Sequence, residues 1–214
     1  MYKQSTDSEN TLLPPEPTIS LVFSTPSVTN STVLVDARPI VKISTTDAAG
    51  DHTTVSDAQT KELLVDIQHH TLRSDTVTFT HHFNGKPLKL KEWLKEKTLE
   101  DGRSPAWAME TSLGSLVWRP DVSFRLALRP VVGGEMAQPI AWAHLQTHST
   151  PLTLLISCGT QAIRDEIVAS FIVLEQRMRM SEKGYAKADG WFAVHRTVLG
   201  HTAHAEELGF GTRR

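Results

Sequence analysis

Cysteine is nearly absent from this 214-residue chain. Cys158 alone cannot close an internal disulfide, and a chain of this length can bury a stabilising core without covalent staples. The catalytic signatures are missing too. There is no HExxH, paired CxxC, GxSxG nucleophile elbow, GxxxxGK phosphate loop or GxGxxG fingerprint. No apolar run reaches the roughly 18 residues of a membrane-spanning helix, and Met1 to Asn10 lacks the apolar core of a secretory signal. These absences predict an intracellular, cytoplasmic protein, in which Asn30-Ser31-Thr32 is a polar turn rather than a glycosylation site. Charge of one sign is lacking as well: 22 Lys and Arg stand against 24 Asp and Glu, a formal net charge of -2. That balance supplies no broad basic field, so no nucleic-acid partner is expected.

What the chain does have is β-patterning. After a polar leader (1–18) ending in Pro14-Pro15-Glu16-Pro17, strands are predicted over 19–23, 32–36, 40–45 and 62–69, with Thr53-Thr54-Val55 as a short extra one. Leu63, Val65 and Ile67 are expected on one face, and Val77 and Phe79 on the apolar side of 76–80. Asn84-Gly85 signals a tight turn. Residues 88–97 combine a short strand with one or two turns of helix. Further strands are predicted at 116–118, 122–128, 139–145 and 152–156. In 122–128, Val122, Phe124, Leu126 and Leu128 are assigned inward, and Ser123, Arg125 and Arg129 outward. The last two strands form a hairpin, and Gly133-Gly134 makes a flexible loop.

The second strand of that hairpin feeds a helix over 160–180. Asp165 and Glu166 sit in its early turns, where the helix dipole favours anions, and Arg177 and Arg179 close it. Its centre, Ile167-Val168-Ala169-Ser170-Phe171-Ile172-Val173-Leu174, leaves no face for water, so a position inside a sheet is expected. The predicted fold class is mainly β (α+β): an antiparallel meander or barrel packed around a hydrophobic C-terminal helix. The domain runs from 19 to 180, followed by a C-terminal extension, 181–214.

Several segments carry a family likeness: Gly85-Lys86-Pro87-Leu88-Lys89-Leu90-Lys91-Glu92-Trp93-Leu94, Trp118-Arg119, Ile140-Ala141-Trp142, and the stretch from Ile163 to Phe171. With the strand order, they resemble a domain family of unknown function from mushroom-forming fungi, over about residues 19–180. The architecture is also similar to the tubby C-terminal, LURP-one and scramblase-like group, where a closed antiparallel barrel encloses a helix. That likeness implies a tubby-like fold, and membrane or phosphoinositide association for some members. It carries no binding residue across to this chain.

The leading functional reading is a non-catalytic intracellular binding or scaffold domain. One alternative is a peripheral phospholipid- or phosphoinositide-binding module, using Lys86, Lys89, Lys91, Lys95 and Lys97 with Trp191 and Phe192 of the tail. Glu92, Glu96 and Glu100 dilute that lysine cluster. The other alternative is an unrecognised hydrolase or transferase, which requires a pocket of convergent polar groups. Cys158 reads as a small buried hydrophobe. The histidine pairs His69-His70, His81-His82, His144 with His148, and His201 with His204 lack metal-ligand spacing. If strands 63–70 and 76–83 pair, however, His69 or His70 would approach His81 or His82. No metal, cofactor or catalytic residue is assigned, and an unknown protein or lipid partner is expected.

Overall fold

A computed structural model describes residues 18–46, 51–70, 72–98, 105–121, 123–132, 137–144 and 150–182. The leader and most of the extension, including Trp191, Phe192, His201 and His204, lie outside the described residues. So do Glu100, Val122, Gly133, Gly134 and His148.

The protein is mainly β. Its strands are β1 (Thr18–Phe23), β2 (Thr32–Val35), β3 (Arg38–Thr46), β4 (His52–Asp57), β5 (Leu63–Gln68), β6 (Thr76–Phe79) and β7 (Leu88–Lys89). After a single helical turn, α1 (Leu90–Trp93), come β8 (Lys95–Thr98), β9 (Pro105–Thr111), β10 (Gly114–Arg119), β11 (Leu126–Pro130), β12 (Ala141–Ala143) and β13 (Thr153–Ser157). Among the described residues all pairings are antiparallel, and they form one sheet of 13 strands in the order β7-β6-β5-β4-β3-β2-β1-β13-β12-β11-β10-β9-β8.

This order dictates curvature. Strands β7 and β8 stand at opposite ends of the sheet, yet Lys89 and Lys95 are six residues apart in the chain. A flat sheet of this width would separate its outer strands by roughly 58 Å, whereas six residues span at most about 21 Å. The sheet therefore curls until its two edges come within about 21 Å of each other at α1. β1 and β13, far apart in sequence, close the middle of the sheet with Leu21 opposite Leu154.

Alternation supplies the core. Leu21 and Phe23, Val41 and Ile43, Val77 and Phe79, Leu116 and Trp118, and Leu154 and Ile156 are all at most 2% exposed. Fully burying one such side chain is worth about 1.5–3 kcal/mol, which is why strand register is firmly specified here. Two expectations need correction. Leu63 does not share the face of Val65 and Ile67: it is 42% exposed, because a bulge sets Ser56 opposite Leu63 while Val55 faces Val65. The two-residue period resets there, and Leu64 is buried instead. The strand expected from 122 begins only at Leu126, after the bend that carries Phe124. In addition, the short strand at 53–55 is a full ladder member, paired on both sides.

The C-terminal helix, α2 (164–182), follows a 3-10 turn over Cys158–Ile163, in which Thr160 Oγ1 donates to the Ser157 carbonyl at 2.7 Å. Every residue from 166 to 175 is buried, so this stretch has no solvent face, as its composition anticipated. The chain divides into two compact units between Ala169 and Ser170, partway along α2. Within the second unit, Glu175 is buried and accepts from Arg179 Nε one turn later, at 2.5 Å.

Candidate functional site

The approach of the sheet's two edges makes a seam, and a groove of about 390 Å³ lies along it. Phe83, Pro87 and Leu88 line it from the β6–β7 side, Lys89, Glu92 and Trp93 from the corner, and Lys95, Ala108 and Glu110 from β8 and β9. The corner is fixed by backbone bonds. Leu90 N–H donates to Asp75 O at 2.8 Å, and Leu94 N–H to Leu90 O at 2.8 Å. Leu90 and Leu94, each 1% exposed, anchor α1 in the core, and the helical period then brings Trp93 to the groove.

An aromatic cluster shapes the apolar wall. Phe79, fully buried, packs edge-on against Trp93 with ring centroids 5.1 Å apart and tilted against Phe83 at 5.5 Å. Phe83 is presented by a left-handed turn in which Phe83, Asn84 and Gly85 have φ of 54°, 57° and 65°. The Asn84-Gly85 turn signal is thus realised, and it leaves Phe83 38% exposed. Trp93 is only 6% exposed, and its buried Nε1–H has no hydrogen-bond partner among the described residues. An unsatisfied buried donor costs about 1–3 kcal/mol, so Trp93 lines the groove while carrying a donor whose hydrogen bond is unmade.

Behind the same turn sits a buried carboxylate. Glu166, in the first turn of α2, is 2% exposed; its Oε1 lies 3.6 Å from His82 Nδ1 and its Oε2 has no hydrogen-bond partner among the described residues. Burial, assisted by the neighbouring Asp165 charge, pushes its pKa up to about 7. Desolvation here outweighs both the helix dipole and His82, which stands beyond hydrogen-bonding distance.

Of the five lysines singled out by sequence, Lys89 and Lys95 line the groove; Lys86, Lys91 and Lys97 are exposed and do not. Lys89 Nζ donates to Glu92 Oε1 at 2.8 Å, which holds the lysine above and the carboxyl below their ordinary pKa values. β5 and β6 do pair, but their histidines meet carboxylates: His69 stands on Asp75 at 2.9 Å, His81 on Glu62 at 3.2 Å and His82 on Glu166. His52 pairs with Asp66 likewise. His144 stacks edge-on against Phe124, and Cys158 is free and partly exposed. Among the described residues no three His, Cys, Asp or Glu side chains gather as a metal site would need, and no helix is long and apolar enough to cross a membrane.

Sequence reasoning did not find Phe83, Trp93 or Glu166 as site residues. In the sequence Trp93 stood out only as part of the 85–94 segment of the family likeness, because an unpaired Nε1 is a property of its surroundings. No curated protein and no solved structure matches the chain. A family model does match, across residues 26–180, and the chain belongs to that family, the family of unknown function DUF6593.

Proposed function

We propose that this chain is a non-catalytic intracellular binding domain whose ligand seats in the groove at the β7–β8 seam. The observation that carries the reading is the buried, unpartnered Trp93 Nε1 beside an apolar groove with charged residues on its rim. Such a mixture of aromatic wall and a few oriented polar groups is the usual make-up of a ligand site. The order of elements, an antiparallel meander followed by one apolar helix, supports a tubby-like arrangement by analogy. Lipid headgroups fit this groove less well than a ligand with its own apolar group, because Lys89 is already paired with Glu92 and Glu110 shares the rim.

The test is an NMR fragment screen on the full chain with 15N-labelled tryptophan, the Trp93 indole signal being assigned by its loss in Trp93→Phe. Fragments pairing an aromatic or aliphatic group with a hydrogen-bond acceptor should shift that signal. If none moves it at millimolar concentration, the groove is not a ligand site.

A further inference from the structure

We propose that the β7–β8 seam takes an extended acidic peptide, which adds as a strand along β8 and places one apolar side chain in the groove. This rests on the reading of the groove as the binding site and names what occupies it.

The backbone comes first. All the ladder partners of Lys95, Glu96, Lys97 and Thr98 among the described residues are on β9. In an antiparallel ladder alternate residues direct their N–H and C=O to opposite sides, so half of these groups in β8 point into the seam. A single added strand separates its two neighbours by roughly 10 Å. The link from Lys89 to Lys95 can span that distance, even with four of its residues wound into α1.

The side chains then select the occupant. Lys95 and Lys97 share one face of β8, beside Ala108 and Ala106 of β9, and both are exposed. Acidic residues at alternate positions of an incoming strand would stand opposite them, the arrangement in which opposite charges stabilise a cross-strand pair. At the α1 end of that strand lie Phe83, Leu88 and Trp93, where an apolar side chain fits, and a small turn of the Trp93 ring would bring its buried indole N–H to a carbonyl or carboxylate oxygen of the peptide.

Charged residues on an edge strand also serve to discourage sheet-to-sheet aggregation. That role explains Lys95, Glu96 and Lys97 by themselves. It does not explain an apolar groove with an unused donor at the end of the same strand, which strand addition does.

The probe is a short fluorescent peptide alternating glutamate with valine and ending in leucine, titrated into the full chain by anisotropy. Micromolar binding is expected, weakened as salt rises. The double variant Lys95→Glu with Lys97→Glu should lose about tenfold in affinity, and a peptide with lysine in place of glutamate should recover it. The same acidic peptide N-methylated at alternate amides keeps its charges but loses strand hydrogen bonds, and in the register that faces β8 it should not bind. Equal binding of both N-methylation registers overturns strand addition, as does binding of anionic phosphatidylserine vesicles without binding of the peptide. Fragments that shift the Trp93 indole while no peptide binds overturn this proposal and leave the groove reading intact; silence from both overturns both.

Discussion

Glu166 shows how position sets the chemistry of a side chain. By sequence it is an acid in the first turn of a helix, where the dipole stabilises a negative charge. In the fold it is 2% exposed, and burial raises its pKa to about 7 from an ordinary 4.5. The folded protein therefore holds a proton that the unfolded chain releases as pH rises past 4.5. Ionisation opposes folding between about pH 4.5 and 7, so this group's contribution falls as pH rises through that window. Glu166→Gln should consequently be more stable than the wild type at pH 8, by about 1–3 kcal/mol, and nearly equal to it at pH 4.5. Urea unfolding at the two pH values measures this; a variant equally destabilised at both would mean that the carboxylate is ionised and paired. Asn84 is the opposite case, since its left-handed φ of 57° was foreshadowed by the Asn84-Gly85 pair. Asn84→Gly should leave the melting temperature almost unchanged, while Asn84→Val should cost about 1–2 kcal/mol, because a β-branched residue resists this backbone conformation.

Strand identity was largely legible because alternation follows from burial of one face. Val77 and Phe79 in β6 obey it, as do Leu126 and Leu128 in β11. Irregularities were not legible. Nothing in Leu63-Leu64-Val65 announces a bulge, since three adjacent apolar residues fit either phase, and the fault is set by pairing with Val55 and Ser56 on another strand. The segment after Trp118 looked like a long strand because Phe124 continued the period. Phe124 instead packs against Trp142 and His144, with centroids 5.8 and 5.6 Å away. The bulge has a direct consequence. Leu63→Thr should change stability by less than about 0.5 kcal/mol, whereas Val65→Thr, which puts a hydroxyl at a site 0% exposed, should cost about 1–3 kcal/mol. Denaturant midpoints compare the two, and equal losses would restore Leu63 to the inner face.

For the whole molecule, an all-antiparallel meander followed by an apolar helix could be anticipated from the order of patterns along the chain. The seam could not. Which edges remain unpaired depends on how far the sheet curls, and that depends on β1 finding β13, a contact between the two ends of the strand region. The groove depends on the same closure, so its lining residues were visible only as a lysine-rich stretch with one tryptophan. With a net charge of -2 and Lys89 held by Glu92, the protein should show no salt-sensitive flotation with anionic liposomes. Salt-sensitive flotation that Lys86→Glu and Lys91→Glu abolish would place the exposed lysines on a membrane instead.

The openness of the seam is best examined by amide hydrogen exchange, resolved residue by residue on the full chain without ligand. β13, paired on both sides by β1 and β12, should be among the slowest segments to exchange. Within 95–98 of β8, the amides facing β9 should be protected and those between them should exchange at nearly the unstructured rate. Uniform protection along β8, comparable with β13, would show the seam to be closed, leaving no free edge for a ligand strand.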